Sequence, residues 1–157
     1  TQHSVSPHRI RRIEPERRHR RLTVTRRSRG VYPPNWKEIA HDVKEQAGWK
    51  CARCGHTHDT ASGYTLTVHH LDLDPSNCAW HNLAPLCQRC HLQIQSKVVM
   101  EQVWFLEHSE WFKPFAAGYY AAMYGLPDDR TYVEQHIDEL IAIGQGLLPT
   151  AILSEEA

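Results

Sequence analysis

The sequence predicts an α+β fold. Three observations carry it: two Cys-x-x-Cys pairs, Cys51–Cys54 and Cys87–Cys90, with 32 residues between them; two short β-type segments inside that interval; and amphipathic helical periodicity on either side. Paired Cys-x-x-Cys units suit a four-thiolate zinc site better than disulfides in an intracellular chain. Cys51, Cys54, Cys87 and Cys90 fill a tetrahedral shell and leave no open position, so the expected Zn²⁺ is structural. It would staple a loop-rich segment too small to build a sufficient core alone. Cys78, the fifth cysteine, falls in a loop and is expected to be a free thiol.

Residues 1–34 read as a flexible, disordered basic arm. Ten Arg stand there against Glu14 and Glu16, and Pro33-Pro34 stiffens the exit. The whole chain has a formal net charge of zero, so the arm's excess of about +8 is balanced by an acidic remainder. All ten cations are Arg, the residue that grips phosphate bidentately. Arg17, Arg18, Arg20, Arg21, Arg26 and Arg27 are therefore expected nucleic-acid contacts.

Asn35 is expected to cap the first helix, with Glu38 closing a capping box. Trp36, Ile39, Ala40, Val43 and Ala47 make an apolar stripe, and Gly48 stops the helix. Residues 49–97 form the metal module. Cys51–Cys54 reads as a knuckle, with Gly55 allowing the tight turn. Tyr64–His70 reads as a strand with Leu66 and Val68 on one face. Residues 71–80, with Asp72, Asp74, Pro75, Ser76 and Asn77, carry loop chemistry. Leu83–Leu86 suits a second strand. The knuckle Cys87–Cys90 should lead into a helix bearing His91, Leu92, Ile94 and Gln95. Helix is expected again over residues 98–112, with Pro114 breaking it. A short apolar segment, Phe115–Tyr124, a turn at residues 126–129, a last amphipathic helix, Thr131–Ile143, and the acidic Glu155-Glu156 complete the chain. The expected division is arm 1–34, central domain 35–113 and helical extension 114–157. No apolar run is long enough to span a bilayer and no secretory leader is visible, so no membrane partner and an intracellular, cytoplasmic setting are expected.

The interval between the knuckles holds His69, His70 and His81, and His91 follows the second pair. Neighbouring residues on a strand point to opposite faces. His69 and His70 therefore cannot share one role: one can ligate a metal while the other faces a substrate. His91 can swing back towards the strand. His56 and His58 read as solvent or phosphate contacts, and Arg53 and Arg89, on the knuckles, as nucleic-acid contacts.

The order Cys-x-x-Cys, strand ending in His-His, Asn-Leu, then Leu-Cys-x-x-Cys-His resembles the HNH endonucleases of the ββα-metal fold that carry a four-cysteine zinc. It spans roughly residues 49–95. More broadly, from Pro33-Pro34-Asn35-Trp36 through Glu110-Trp111-Phe112, the chain resembles small phage and prophage HNH proteins. The resemblance implies a small ββα-metal module flanked by helices, with residues 35–113 as the nuclease domain. It implies His70 as general base, His69 and His91 as ligands of one catalytic divalent ion, and Asn82 as the residue whose amide ties down the loop that aims His70. Mg²⁺ is the implied ion, with Mn²⁺ and Ni²⁺ also compatible with imidazole ligands. DNA is the implied substrate, with RNA left open, and a protein partner or a homodimer is left open too. The alternative reading is a non-catalytic zinc-stabilised nucleic-acid-binding module or a phage packaging-associated interaction protein.

Overall fold

A computed structural model describes residues 30–94 and 109–154. The arm up to residue 29, the helix expected from residue 98, Gln95 and the Glu155-Glu156 tail lie outside the described residues. The described part is a small mixed α+β structure with a two-stranded antiparallel sheet. Its elements are α1 (Trp36–Gln46), β1 (Leu66–His70), a 3-10 turn (Trp80–Asn82), β2 (Leu83–Cys87), α2 (Gln88–Ile94), α3 (Lys113–Tyr124), α4 (Arg130–Gln135), α5 (Ile137–Gly144) and α6 (Ala151–Ser154). None of these helices is long and apolar enough to cross a membrane.

The stripe Trp36, Ile39, Ala40, Val43 and Ala47 is half-buried where α1 packs on the sheet. The expected capping box does not form: Asn35 makes no side-chain cap bond. It sits at φ −93°, ψ 21°, inside a turn closed by Trp36 N–H to the Pro33 carbonyl. An N-cap side chain reaches back to the helix from extended backbone, which that turn does not provide. The helix ends as expected. Gly48 takes φ +59°, and the Gly48 and Trp49 N–H groups close back on the Glu45 and Lys44 carbonyls. This is the double bond of a Schellman cap.

β1 and β2 pair with Leu66 opposite Cys87, Val68 opposite Pro85 and His70 opposite Leu83. Bonds from Gln88 N–H to the Thr65 carbonyl and from Leu71 N–H to the Asn82 carbonyl flank the ladder. By alternation Val68–Pro85 is a non-hydrogen-bonded pair, so the missing Pro85 N–H costs the sheet nothing. The Pro85 carbonyl instead accepts from Ala52 N–H of the first knuckle.

Two apolar clusters are joined by α3. Ala116 and Tyr120 pack with Leu66, Leu71, Leu86, Ile94, Phe112 and the buried cysteines. Ala117 and Ala121, on the adjacent face, pack with Val133, Leu140, Ile141, Ile143 and Leu153. Pro114 opens this helix instead of breaking one, because a first-turn N–H has no intrahelical partner to lose. Residues 110–112 before it form a turn, not the end of a helix. The expected helix over Thr131–Ile143 is split at His136, whose φ is −126°. His136 Nδ1 lies 2.8 Å from the Tyr132 carbonyl and its ring stacks on Tyr132. That side-chain bond replaces the backbone bond from His136 N–H, which goes to Val133 instead.

Gly118 lets α3 touch the 3-10 turn. A Cβ there would lie 2.6 Å from His81 Cβ and 3.0 Å from Trp80 Cζ2. Gly118→Ala is expected to lower stability by about 1–3 kcal/mol in denaturant unfolding, while exposed Ala122→Ser stays within about 0.5 kcal/mol.

Candidate functional site

The four knuckle cysteines converge. Cys51, Cys54, Cys87 and Cys90 place their sulfurs within 4.8 Å of one another, and Cys54 Sγ lies 3.8 Å from Cys87 Sγ. A tetrahedron with metal–sulfur bonds of about 2.3 Å has an edge of ~3.8 Å, whereas a disulfide needs about 2.05 Å. All five cysteines are free. The set fits a structural zinc ion. The knuckle backbone supports it: Gly55, at φ +72°, donates to the Cys51 carbonyl, and Cys51 N–H donates to the His56 carbonyl. Burial raises the Cys51 thiol, but N–H groups of Cys54, Cys87 and Arg53 outweigh it and bring the pKa to about 7. Burial, reinforced by neighbouring cysteines, pushes Cys90 up to about 12. Cys78, half-buried in the loop, lies outside the cluster.

The histidines divide by strand parity. His69 lies on the Thr67 side of β1, towards α2. There His69 Nδ1 stands 3.0 Å from His91 Nε2, and His91 Nδ1 lies 2.8 Å from Thr67 Oγ1. Two ligands in neighbouring positions around one ion, each with a bond of about 2.1 Å, sit ~3.0–3.4 Å apart. The pair fits the imidazole share of a divalent-ion site. His69 Nε2 is buried with no hydrogen-bond partner. Burial above all, then His91 and His70 nearby, pushes the His69 pKa down to about 4. Burial lowers His91 as well. Burial thus favours the neutral form of both rings, the form that binds metal.

His70 lies on the Leu66 and Val68 face, towards α1. Its ring packs against Trp36 at 4.8 Å and Tyr32 at 5.7 Å between centroids. Burial lowers its pKa, against an opposing pull from Asp72 and Asp74. Its Nε2 is buried without a partner.

Asn82 is 2% exposed, and its amide makes three hydrogen bonds. Oδ1 accepts from Asp72 N–H, and Nδ2 donates to Asp72 Oδ1 and the Asn77 carbonyl, all at 2.9 Å. These bonds draw the loop after His70 onto the start of β2. Asp72 and Asp74 serve the same loop: Asp72 also accepts from Asn77 Nδ2, and Asp74 accepts from Ser76.

The remaining candidates sit elsewhere. His81 is buried against α3, its Nδ1 without a partner. His58 is a structural residue, correcting its reading as a solvent or phosphate contact: its Nδ1 accepts Leu66 N–H at 2.8 Å, just where β1 begins. His56 stacks flat on Tyr64 at 3.5 Å. Arg89 covers the other part of that platform, 4.4 Å over the Tyr64 ring, and donates to the Ser62 carbonyl at 2.9 Å. Arg53 donates to Gln93. Both are exposed, on the knuckle side of the module. The arm arginines lie outside the described residues, but the arm's root does not: a Cβ on Gly30 would fall 2.3 Å from Asp74 Oδ1, so the chain enters beside the loop that follows His70. Sequence reasoning passed over Tyr32 as a neighbour of His70 and Thr67 as a neighbour of His91. The signal for Thr67 was available, since a residue two before His69 shares its face.

No protein-family model matches the chain, and no solved structure matches it. Over 74 residues, 47% of this chain, it is 32% identical to Zorya protein ZorE of Escherichia coli (strain ATCC 8739), and the match covers 20% of that protein. The chain thus matches about a fifth of the relative's length.

Asn82→Ala is expected to cost about 2–3 kcal/mol in unfolding of the zinc-loaded protein, because it strands Asp72 N–H and the Asn77 carbonyl. Asn82→Asp keeps the acceptor but sets a buried carboxylate oxygen against Asp72 Oδ1 and the Asn77 carbonyl, and should cost at least as much. Purified protein should release one zinc per chain on thiol modification, with loss of far-UV dichroism, and Cys87→Ser should lower that zinc content. In an NMR titration the His69 ring should remain unprotonated at pH 5. Its folded pKa lies below the ordinary 6.5, so the proton binds only as pH falls through about 4.

Proposed function

We propose that the chain is a metal-dependent endonuclease of the HNH type that hydrolyses DNA phosphodiester bonds. In this reading β1, β2 and α2 are its ββα-metal module, Cys51, Cys54, Cys87 and Cys90 hold the structural zinc, and His69 and His91 hold one catalytic divalent ion. The observation that carries the reading is the 3.0 Å approach of His69 Nδ1 to His91 Nε2, with His70 presented on the opposite face of the same strand.

When bound, a divalent ion there supplies Lewis-acid stabilisation to a phosphate oxygen and to the departing 3′ oxygen. The chain's own part is proton handling and aim. Burial lowers the His70 pKa and favours its neutral ring, which would accept a proton from a water molecule as that water's oxygen bonds to phosphorus. The bond from phosphorus to the 3′ oxygen then breaks, leaving a 5′-phosphate and, after protonation by solvent, a 3′-hydroxyl. Trp36 and Tyr32 flank the His70 ring and limit its rotation, and the Asn82 bonds fix the loop that follows it. Orientation is thus set before substrate arrives.

The Arg arm deepens the case for a polyanionic substrate. Gly30, at its root, lies beside the His70 loop, and arm cations would raise affinity by counterion release without reading sequence. Arg53 and Arg89, exposed on the knuckles, would add phosphate contacts.

Supercoiled plasmid incubated with zinc-loaded protein should be nicked or linearised only when Mg²⁺ or Mn²⁺ is added. His70→Ala should lower the rate by about 10²–10⁴-fold, with the zinc content unchanged. Equal cleavage by the variant, or none by the folded wild type with either metal, would overturn the proposal.

A further inference from the structure

Thr67 lies on β1 two residues before His69 and opposite Leu86. Its Oγ1 is 2.8 Å from the Leu86 carbonyl oxygen and 2.8 Å from His91 Nδ1. The hydroxyl has one hydrogen, and a carbonyl oxygen can only accept. If that hydrogen went to His91 Nδ1, two oxygens would face each other at 2.8 Å with nothing between them. One assignment makes both contacts hydrogen bonds: Thr67 O–H donates to Leu86, and His91 Nδ1–H donates to Thr67. A neutral His91 ring then carries no hydrogen on Nε2. That bare nitrogen is the one aimed at His69 Nδ1, 3.0 Å away.

The assignment runs against the intrinsic bias of imidazole, since a free neutral histidine ring favours the hydrogen on Nε2. Strand propensity accounts for a β-branched residue at position 67, but Val would satisfy it equally well. The hydroxyl is what propensity leaves unexplained. A hydrogen-bond partner on the far nitrogen fixes both the tautomer and the ring direction of a ligating histidine.

We propose that Thr67 is a positioning residue that holds His91 in the Nδ1–H tautomer and so presents the Nε2 lone pair to a divalent cation. The proposal rests on His69 and His91 being a ligand pair. It adds a backbone-anchored relay, from the Leu86 carbonyl through the Thr67 hydroxyl to His91, which ties the orientation of the α2 ligand to the register of the sheet.

The test compares zinc-loaded wild type, Thr67→Val and Thr67→Ser. Nitrogen-15 NMR of the imidazoles at neutral pH, without added metal, reads the His91 tautomer. Calorimetric titration with Mn²⁺ reads the second site. Wild type and Thr67→Ser should both show the proton on His91 Nδ1. Thr67→Val, which keeps the shape and loses the hydroxyl, should shift the proton towards Nε2 and bind Mn²⁺ about 10–100-fold more weakly. Unchanged tautomer or unchanged Mn²⁺ affinity in Thr67→Val would overturn the proposal, as would failure of Thr67→Ser to restore both. Failure of the ligand pair reads differently. Wild type would then take up no Mn²⁺ beyond its zinc, and the tautomer comparison alone would uphold or overturn the lock on His91.

Discussion

Four cysteine sulfurs drawn to within 4.8 Å of one another are the constraint on which the rest of this structure depends. Their environments pull the thiols apart. Cys51 lies near 7 and Cys90 near 12, so thiols so close together do not ionise alike on their own. A divalent ion bound there would hold all four as thiolates in one closed shell. Three of the four also belong to the main apolar cluster. The cysteine cluster is therefore part of the core, packed with Leu66, Leu86 and Ile94.

The histidine arrangement is a consequence of that closure. Cys87 ends β2 and Cys90 lies in the first turn of α2, so the knuckle fixes where the strand stops and the helix starts. His91, the next residue, faces the sheet. Sheet register then decides what it meets: His69 stands opposite Ala84, whose small side chain crowds neither ring. The cysteine cluster and the imidazole pair thus share one helical turn. A scaffold of this kind would hold a second site rigid at little cost in core volume, which suits a module this small.

Much of this was legible in the chain. The two Cys-x-x-Cys pairs announce a four-thiolate cluster through spacing alone. Period-two alternation separates His69 from His70 with no three-dimensional information, because strand geometry leaves no other choice. The limits lie where tertiary contacts outvote local pattern. Pro114 reads as a breaker in sequence and opens a helix in space, since the same missing N–H serves either end. The split at His136 depends on a ring reaching its own backbone. The Asn35 cap fails because the Pro33-Pro34 approach sets a turn. Within the candidate site, the companions of His70 could not be read: Tyr32 lies far from it in sequence, and no periodicity links them.

The two-faced helix α3 has a further consequence. Ala116 and Tyr120 close the core around the cysteine cluster, while Ala117 and Ala121 close the core of the C-terminal helices. Each cluster is walled by the same dozen residues, so neither can melt while the other keeps its packing intact. The described parts should behave as one cooperative unit, and a cut after His91 would remove Ala116 and Tyr120 from the first cluster. What resembles an appendage along the chain is the outer half of a shared wall, and a lineage that reused this module elsewhere would have had to carry that wall along or build another.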